Sequence, residues 1–400
     1  FQGAKPGDTL PGVRFVTTTA NAPGDLVGPD AVVPVLAQNW VSTFSGAGAI
    51  AIAQAFPPAD PPTSPPNLAD VAFDHFIQAS GSNDRIALEA GNSWIEAGAG
   101  FDVVSVAGGF RGAETSLIDD GSLRLDLRSQ TALLRNVEEV DFVDGRLHLS
   151  MDSAAAQVSR LYDAALGREP EQAGLNFWID RLEAGQPLLT LANGFLDSAE
   201  FGYRYGHPSN QDYVALLYQN VLGRAPDPGG EATWTAALAA GTSRASVLIG
   251  FSESPENKRA HAAEDAVGIW DVDENAAFVA LLYDAALNRL PDVSGLASWR
   301  AALDAGQFTK ATMTAAFTES GEYHALYGGL GNQQFVQALY INALNRSADP
   351  GGLAAWTGLL DKGVSRAEVI QAISESAEHV AITKPFIMSD APDHFGIAFA

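Results

Sequence analysis

The 400-residue chain has no cysteine, few basic residues and no long apolar run. Without cysteine there are no disulfides, no thiolate metal sites and no cysteine nucleophile. Lys and Arg number 23 against 48 Asp and Glu, a formal net charge of −25. That balance repels nucleic acid and anionic membrane surfaces, so neither is expected as a partner. No stretch reaches the ~18 apolar residues that a membrane-spanning helix requires. Ala31–Phe56 comes nearest, but Pro34, Gln38, Asn39, Ser42, Gly46 and Gly48 interrupt it, and no basic segment precedes it as in a secretory signal. Catalytic motifs are also missing. The seven histidines form no H-x-x-H or H-E-x-x-H pattern, and there is no G-x-S-x-G elbow or phosphate loop. No catalytic residue is assigned. Asp74 and His75 are adjacent, but adjacency alone does not make a relay.

What is present is a folded composition, 46% apolar and 18% charged, in a chain long enough for more than one domain. Its main feature is a repeat of roughly 50 residues, found by aligning Tyr162, Tyr218, Tyr283 and Tyr340. Six residues on stand Arg168, Arg224, Arg289 and Arg346. Nine on stand Glu171, Asp227, Asp292 and Asp349, and twelve on stand Gly174, Gly230, Gly295 and Gly352. Sixteen on stand Trp178, Trp234, Trp299 and Trp356. The copies are placed at 158–206, 213–262, 278–327 and 335–383, within a helical region 153–383.

The columns predict three short helices per copy. Apolar residues at helical spacing lead into each Tyr. Gly167, Gly223, Asn288 and Asn345 suit a left-handed C-terminal cap. The acid column caps the second helix, with Pro228 and Pro350 at its first position. Ser365-Arg366-Ala367-Glu368 has the form of a capping box for the third. A closing Ser-x-Glu reads as the cap of a short final turn. The aromatic columns read as core. The Arg and acid columns read as a pair locking the loop; the other reading, a cation held by that loop, has only one carboxylate per copy.

These columns resemble the DUF4214 domain, a bacterial family of unknown function, through Leu217-Tyr218, Gly223-Arg224, Asp227-Pro228-Gly229-Gly230, Trp234 and Ser254-Pro255-Glu256. The first copy departs from it, with Glu171 in place of Asp. The resemblance implies a large extracellular protein of surface-layer, adhesin or calcium-repeat type. It implies no reaction.

A second period is shorter. Asp84, Ser93 and Asp102 are nine apart, as are Ile86, Ile95 and Val104. Gly98-Ala99-Gly100-Phe101-Asp102-Val103-Val104 fits the G-x-G-x-D-x-U core of a nonapeptide calcium-binding β-roll. Glycines allow the tight turns, carboxylates and carbonyls offer hard oxygen ligands, and the aliphatics fill the interior. Asp84 and Asp102 are two turns apart and fall on one side of such a roll. They are therefore the candidate ligands of a shared Ca2+, with Asn83, Gly98 and Gly100 in the turns. Leu123-Arg124-Leu125-Asp126-Leu127 alternates as a strand, and Val140 to Leu149 reads as a hairpin on Asp144-Gly145. This region resembles the tail of RTX-type secreted proteins. The acid-then-apolar end, Asp393 to Ala400, is similar to their uncleaved type I secretion signals.

The fold expected is α+β and multidomain. A Gly/Pro/Ala-rich segment occupies 4–70, with a stiff proline run at 57–66. A β-roll and hairpin region follows at 71–152, then the four-repeat helical region, then a tail at 384–400. The expected function is a secreted or cell-surface interaction protein, calcium-dependent, that contacts glycan, a protein partner or copies of itself. The alternative is a secreted hydrolase or its accessory region.

Overall fold

The computed structural model describes residues 71–389, 391 and 395–400. The segment 4–70, with its apolar stretch and proline run, lies outside the described residues, as do Asp393 and His394.

The β region winds as a coil between two sheets. Strands β1 (His75–Gln78), β2 (Arg85–Ala87), β3 (Ser93–Glu96) and β4 (Val103–Ser105) fall alternately on one sheet and the other. His75 pairs in parallel with Ser93, and Arg85 with Val103, so one full coil is two nine-residue turns. The nine-residue spacing of the aliphatics follows from this. Ile95 and Val104 are fully buried between the sheets, and Ile86 is half-buried.

A hairpin then interrupts the coil. Strands β5 (Glu114–Leu117), β6 (Leu123–Leu127) and β7 (Gln130–Arg135) give the first sheet the order β1-β3-β7-β6-β5. Strands β8 (Glu139–Phe142) and β9 (Gly145–His148) extend the second. Phe142 pairs with Gly145. The hairpin turn is thus Val143-Asp144, one residue earlier than the Asp-Gly reading places it.

The helical region contains all four copies. The first is α1 (Ala154–Leu166), α2 (Gln172–Glu183), α3 (Leu188–Leu196) and α4 (Ala199–Tyr205). The second is α5 (Asn210–Leu222), α6 (Pro228–Ala239), α7 (Arg244–Ser252) and α8 (Pro255–Val267). Strand β10 (Ile269–Val272) stands between the second and third. The third is α9 (Glu274–Leu287), α10 (Val293–Asp304), α11 (Lys310–Thr318) and α12 (Gly321–Tyr327). The fourth is α13 (Asn332–Leu344), α14 (Pro350–Asp361), α15 (Arg366–Ser374) and α16 (Ala377–Ile387).

Each unit therefore has four helices, not three and a turn. The closing serines Ser198, Ser254, Ser320 and Ser376 each cap a true fourth helix. The first helix of each copy begins three or four residues before 158, 213, 278 and 335, because its N-cap lies upstream of the apolar pattern. Helix α16 likewise runs past 383 to Ile387.

Two cores form. One joins the first and second repeats, centred on Leu161, Tyr162, Phe195, Leu217, Tyr218 and Phe251. The other is continuous from the coil through Trp270 and Val272 of β10 into the third and fourth repeats. Strand β10 is the link. It pairs antiparallel with β9, Trp270 opposite Leu147, and so becomes the edge of the second sheet. Phe110, Phe142 and Trp270 pack ring on ring there, Phe110 stacked on Trp270 at 4.2 Å.

Candidate functional site

The repeat columns serve the fold. In each copy the Tyr hydroxyl sits against the glycine twelve residues on, and a Cβ added to Gly174, Gly230, Gly295 or Gly352 would collide with it. The Trp column packs on the third helix. Trp178 stacks on Phe195 at 5.1 Å, Trp234 meets Phe251 at 5.2 Å and Trp299 meets Phe317 at 5.3 Å. Trp356 packs against the core of the last copy. Asp227, Asp292 and Asp349 each accept the N–H of the glycine three residues on, at 2.8–2.9 Å. Glu171 makes no such cap bond; its longer side chain reaches Arg168 instead, at 2.6 Å.

The arginines have a partner that the sequence reading missed. Arg168 binds Glu200 at 2.7 Å, Arg289 binds Glu322 at 2.6 Å, and Arg346 grips Glu378. Arg224 and Glu256 are 3.6 Å apart. These glutamates belong to the closing Ser-x-Glu and sit in the first turn of the fourth helix. Each arginine also lies over its own tyrosine, 4.8–5.1 Å from the ring centre. The column thus ties the end of the first helix to the start of the fourth. The constant offset of 32 or 33 residues between Arg and Glu was the available signal.

The candidate calcium ligands lie along one edge of the coil. Asp102 is fully buried and its Oδ1 accepts the Asp84 N–H at 2.7 Å. Asp84 accepts the N–H and the hydroxyl of Ser80. The Asp102 N–H is donated in turn to Glu138 Oε2 at 2.8 Å. On two successive coils an acid, Asp102 and then Glu138, therefore caps the turn of the coil before it. Asn83 works in the opposite sense, accepting the Phe101 N–H of the coil after it at 3.0 Å. Gly98 and Gly100 have left-handed φ of 100° and 137°, and a Cβ on either would run into the Ser80 or Ser82 backbone, leaving no room for a side chain.

Asp84 and Asp102 are thus brought together, and Glu138 joins them. It stands 36 residues past Asp102 because the β5–β6 hairpin intervenes, so a nine-residue count that stops at the hairpin misses it. Burial pushes the Glu138 carboxyl up, and the Asp102 charge adds to the effect. Asp102 Oδ2 has no hydrogen-bond partner. The fit to a hard cation is partial. Asp102 Oδ2 is available, while Glu138 and Asp84 each have one oxygen engaged, Glu138 Oε2 by the Asp102 N–H and Asp84 Oδ2 by Ser80. Among the described residues no group of three or more His, Asp or Glu is placed to hold a metal ion.

Asp74 and His75 have separate partners. Asp74 accepts the Asn92 N–H at 2.9 Å, while the His75 ring lies 2.9 Å from the Ala90 carbonyl.

The joint between coil and repeats is densely charged. Arg146 forks onto Glu183 at 2.9 and 3.1 Å and reaches Asp271 at 2.8 Å. Buried His148 lies 3.5 Å from both Glu139 and Asp271. Arg300 binds the Phe142 carbonyl and pairs with Asp273 and Asp141. Acids outnumber bases, and the consequence falls on Asp180, whose carboxyl is pushed up to about 7 by burial and by the facing Glu274 carboxyl. Beside this joint a cleft of about 270 Å³ opens between α2 and α9. Asn176, Phe177, Phe278, Lys310, Glu375 and Met388 line it. Phe177 is 45% exposed there, and Lys310 lies over the Phe278 ring.

No helix among the described residues is long and apolar enough to cross a membrane. These features define a tandem helical-repeat protein mounted on a coiled β region. Residues 149–188, 192–261, 270–327 and 317–382 match the family described as a domain of unknown function, DUF4214. The matches cover more than half of the chain, and the chain belongs to that family. Comparison with curated proteins finds no match.

Proposed function

We propose that the chain is a calcium-tuned interaction region of a secreted, cell-surface protein of adhesin or surface-layer type, and that its helical repeats hold a glycan. The observation that carries this reading is the cleft between α2 and α9. It is concave and largely apolar, and a few charged groups converge on it: Lys310, Glu274 and Glu375. Phe177 is partly exposed, with Arg181 lying over its ring 3.3 Å from the centre, and its remaining surface offers an apolar contact for a sugar, while the Lys310 ammonium and the carboxylates offer partners for its hydroxyls. The recurring columns support the same reading. They are engaged in holding each repeat together, which leaves recognition to residues that differ from copy to copy.

Calcium would be held at the coil edge by Asp102 and Glu138, with Asp84 beside them. Its role would be to neutralise acids that bring like charges together between coils. Asn83, Gly98 and Gly100 would shape the turn.

The test is binding of the chain to a panel of bacterial polysaccharides in calcium and in chelator, with calorimetric calcium titration alongside. The reading expects saturable polysaccharide binding that Phe177→Ala removes without lowering Tm. It also expects a calcium-dependent rise in Tm that Glu138→Gln abolishes. Failure to bind any polysaccharide in either condition would overturn the glycan reading. Identical melts with calcium and with chelator would overturn the calcium reading.

A further inference from the structure

The segment Phe395–Ala400 does not lie free on the surface. Ile397 is fully buried in the core shared by the coil and the third and fourth repeats. Three backbone donors of the segment are taken up by three different parts of the chain. The Ile397 N–H is donated to Asp144 Oδ2 at 2.7 Å. The Ala398 N–H is donated to the Phe386 carbonyl in α16, and the Ala400 N–H to the Pro291 carbonyl ahead of α10. Phe399 covers Gly109 so closely that a Cβ on that glycine would run into its ring.

Asp144 is the centre of this arrangement. Its other oxygen, Oδ1, accepts the Phe110 N–H at 2.9 Å, and its backbone carbonyl accepts the Asp273 N–H at 3.0 Å. One buried carboxylate in a hairpin turn therefore binds the coil loop on one side and the segment on the other. Arg111 of the same loop donates to the Pro385 carbonyl at 3.1 Å.

We infer that Phe395–Ala400 is a latch, clasped by the Asp144 carboxylate, that locks the coil onto the third and fourth repeats. A buried carboxylate stripped of a donor is strongly disfavoured. Releasing the segment therefore exposes Asp144 and frees the loop that carries Phe110. The coil's tight hold on the helices is a property of the latched state.

Hydrogen exchange tests this on the full chain against Ile397→Asp. With the latch displaced, exchange at the Phe110 amide, bonded to the Asp144 carboxylate, should rise by roughly 10- to 100-fold, as expected on losing a charge-assisted hydrogen bond to a buried group. Exchange in α5–α7 of the second repeat should not change. Unfolding should split into an early transition of the coil and a later one of the helices. If Ile397→Asp does not fold, Gly109→Ala asks the same question by pushing on Phe399 alone. Unchanged exchange at Phe110 in a folded variant, or an equal rise in the second repeat, would overturn the latch.

Discussion

The side-chain amide of Asn176 in α2 donates to the carbonyl of Val272 in β10, 2.8 Å away. One turn earlier Gln172 donates to the Trp270 carbonyl at 2.9 Å. Strand β10 is the edge of its sheet, and an edge strand leaves backbone acceptors without partners. Helix α2 of the first repeat supplies them, so a helix completes a sheet. Replacing Asn176 with Ala should strand the Val272 carbonyl and cost about 1–3 kcal/mol in urea unfolding. A double Gln172/Asn176 variant should lose more than either single change. If both singles are silent, these bonds do not hold the joint.

The arginine ties should differ among copies. Arg289 and Glu322 are in close contact, whereas Arg224 and Glu256 are 3.6 Å apart. Arg289→Ala should therefore destabilise by about 1 kcal/mol and Arg224→Ala by less, since partly exposed pairs count only when the geometry is good. Thermal melts of the two variants decide it. Equal losses would mean that stacking on the tyrosine, common to both, dominates.

The acid column gives a paired test. Asp292→Ala should cost about 1 kcal/mol, the usual loss of an N-cap. Glu171→Ala should cost less through the helix, because Glu171 makes no cap bond. A Glu171 variant as damaging as the Asp292 one would show that its contact with Arg168 carries the loop.

Gly230 and Tyr218 should be coupled. Gly230→Ala places a methyl against the Tyr218 hydroxyl and should destabilise by about 1–3 kcal/mol. Tyr218→Phe in the same chain should restore part of the loss, giving a non-zero coupling in a double-mutant cycle. Strict additivity would place the strain elsewhere.

Stability should fall as pH rises from mildly acid to neutral. Burial raises Asp144 and Asp265 to about 6, and burial with Glu274 raises Asp180 to about 7. Their folded values exceed their unfolded ones, so ionising them opposes folding. That penalty is absent near pH 4, grows through pH 4–7 and is complete above it. Glu200 and Asp292 are held low, the first by Arg168 and the second by the Ser294 hydroxyl. Their contribution is present at neutral pH and is lost as pH falls below about 4. The melting temperature should therefore peak near pH 4. Asp180→Asn should raise Tm at pH 7.5 by about 2–4 °C and flatten the curve between pH 5 and 7. A curve that rises steadily to pH 8 would contradict this.

The sequence by itself determined the features that depend on neighbours along the chain. Gly167, Gly223, Asn288 and Asn345 do take left-handed C-caps, because only the local backbone decides that conformation. The nine-residue period fixed which aliphatics fill the coil, and it put Asp84 and Asp102 on one edge, because each turn repeats the last. The tertiary structure decided what depends on where distant segments land. The short stretch Gly268-Ile269-Trp270-Asp271-Val272 falls between the second and third repeat copies and becomes a strand only because β9 offers it an edge. The closing glutamates read as caps until the fold brings their helix against the arginine. Asp144 reads as a hairpin residue until Phe110 and Ile397 arrive from either side. In each case the partner is remote in sequence, and long-range pairing follows from the closure of the whole chain, not from any local pattern.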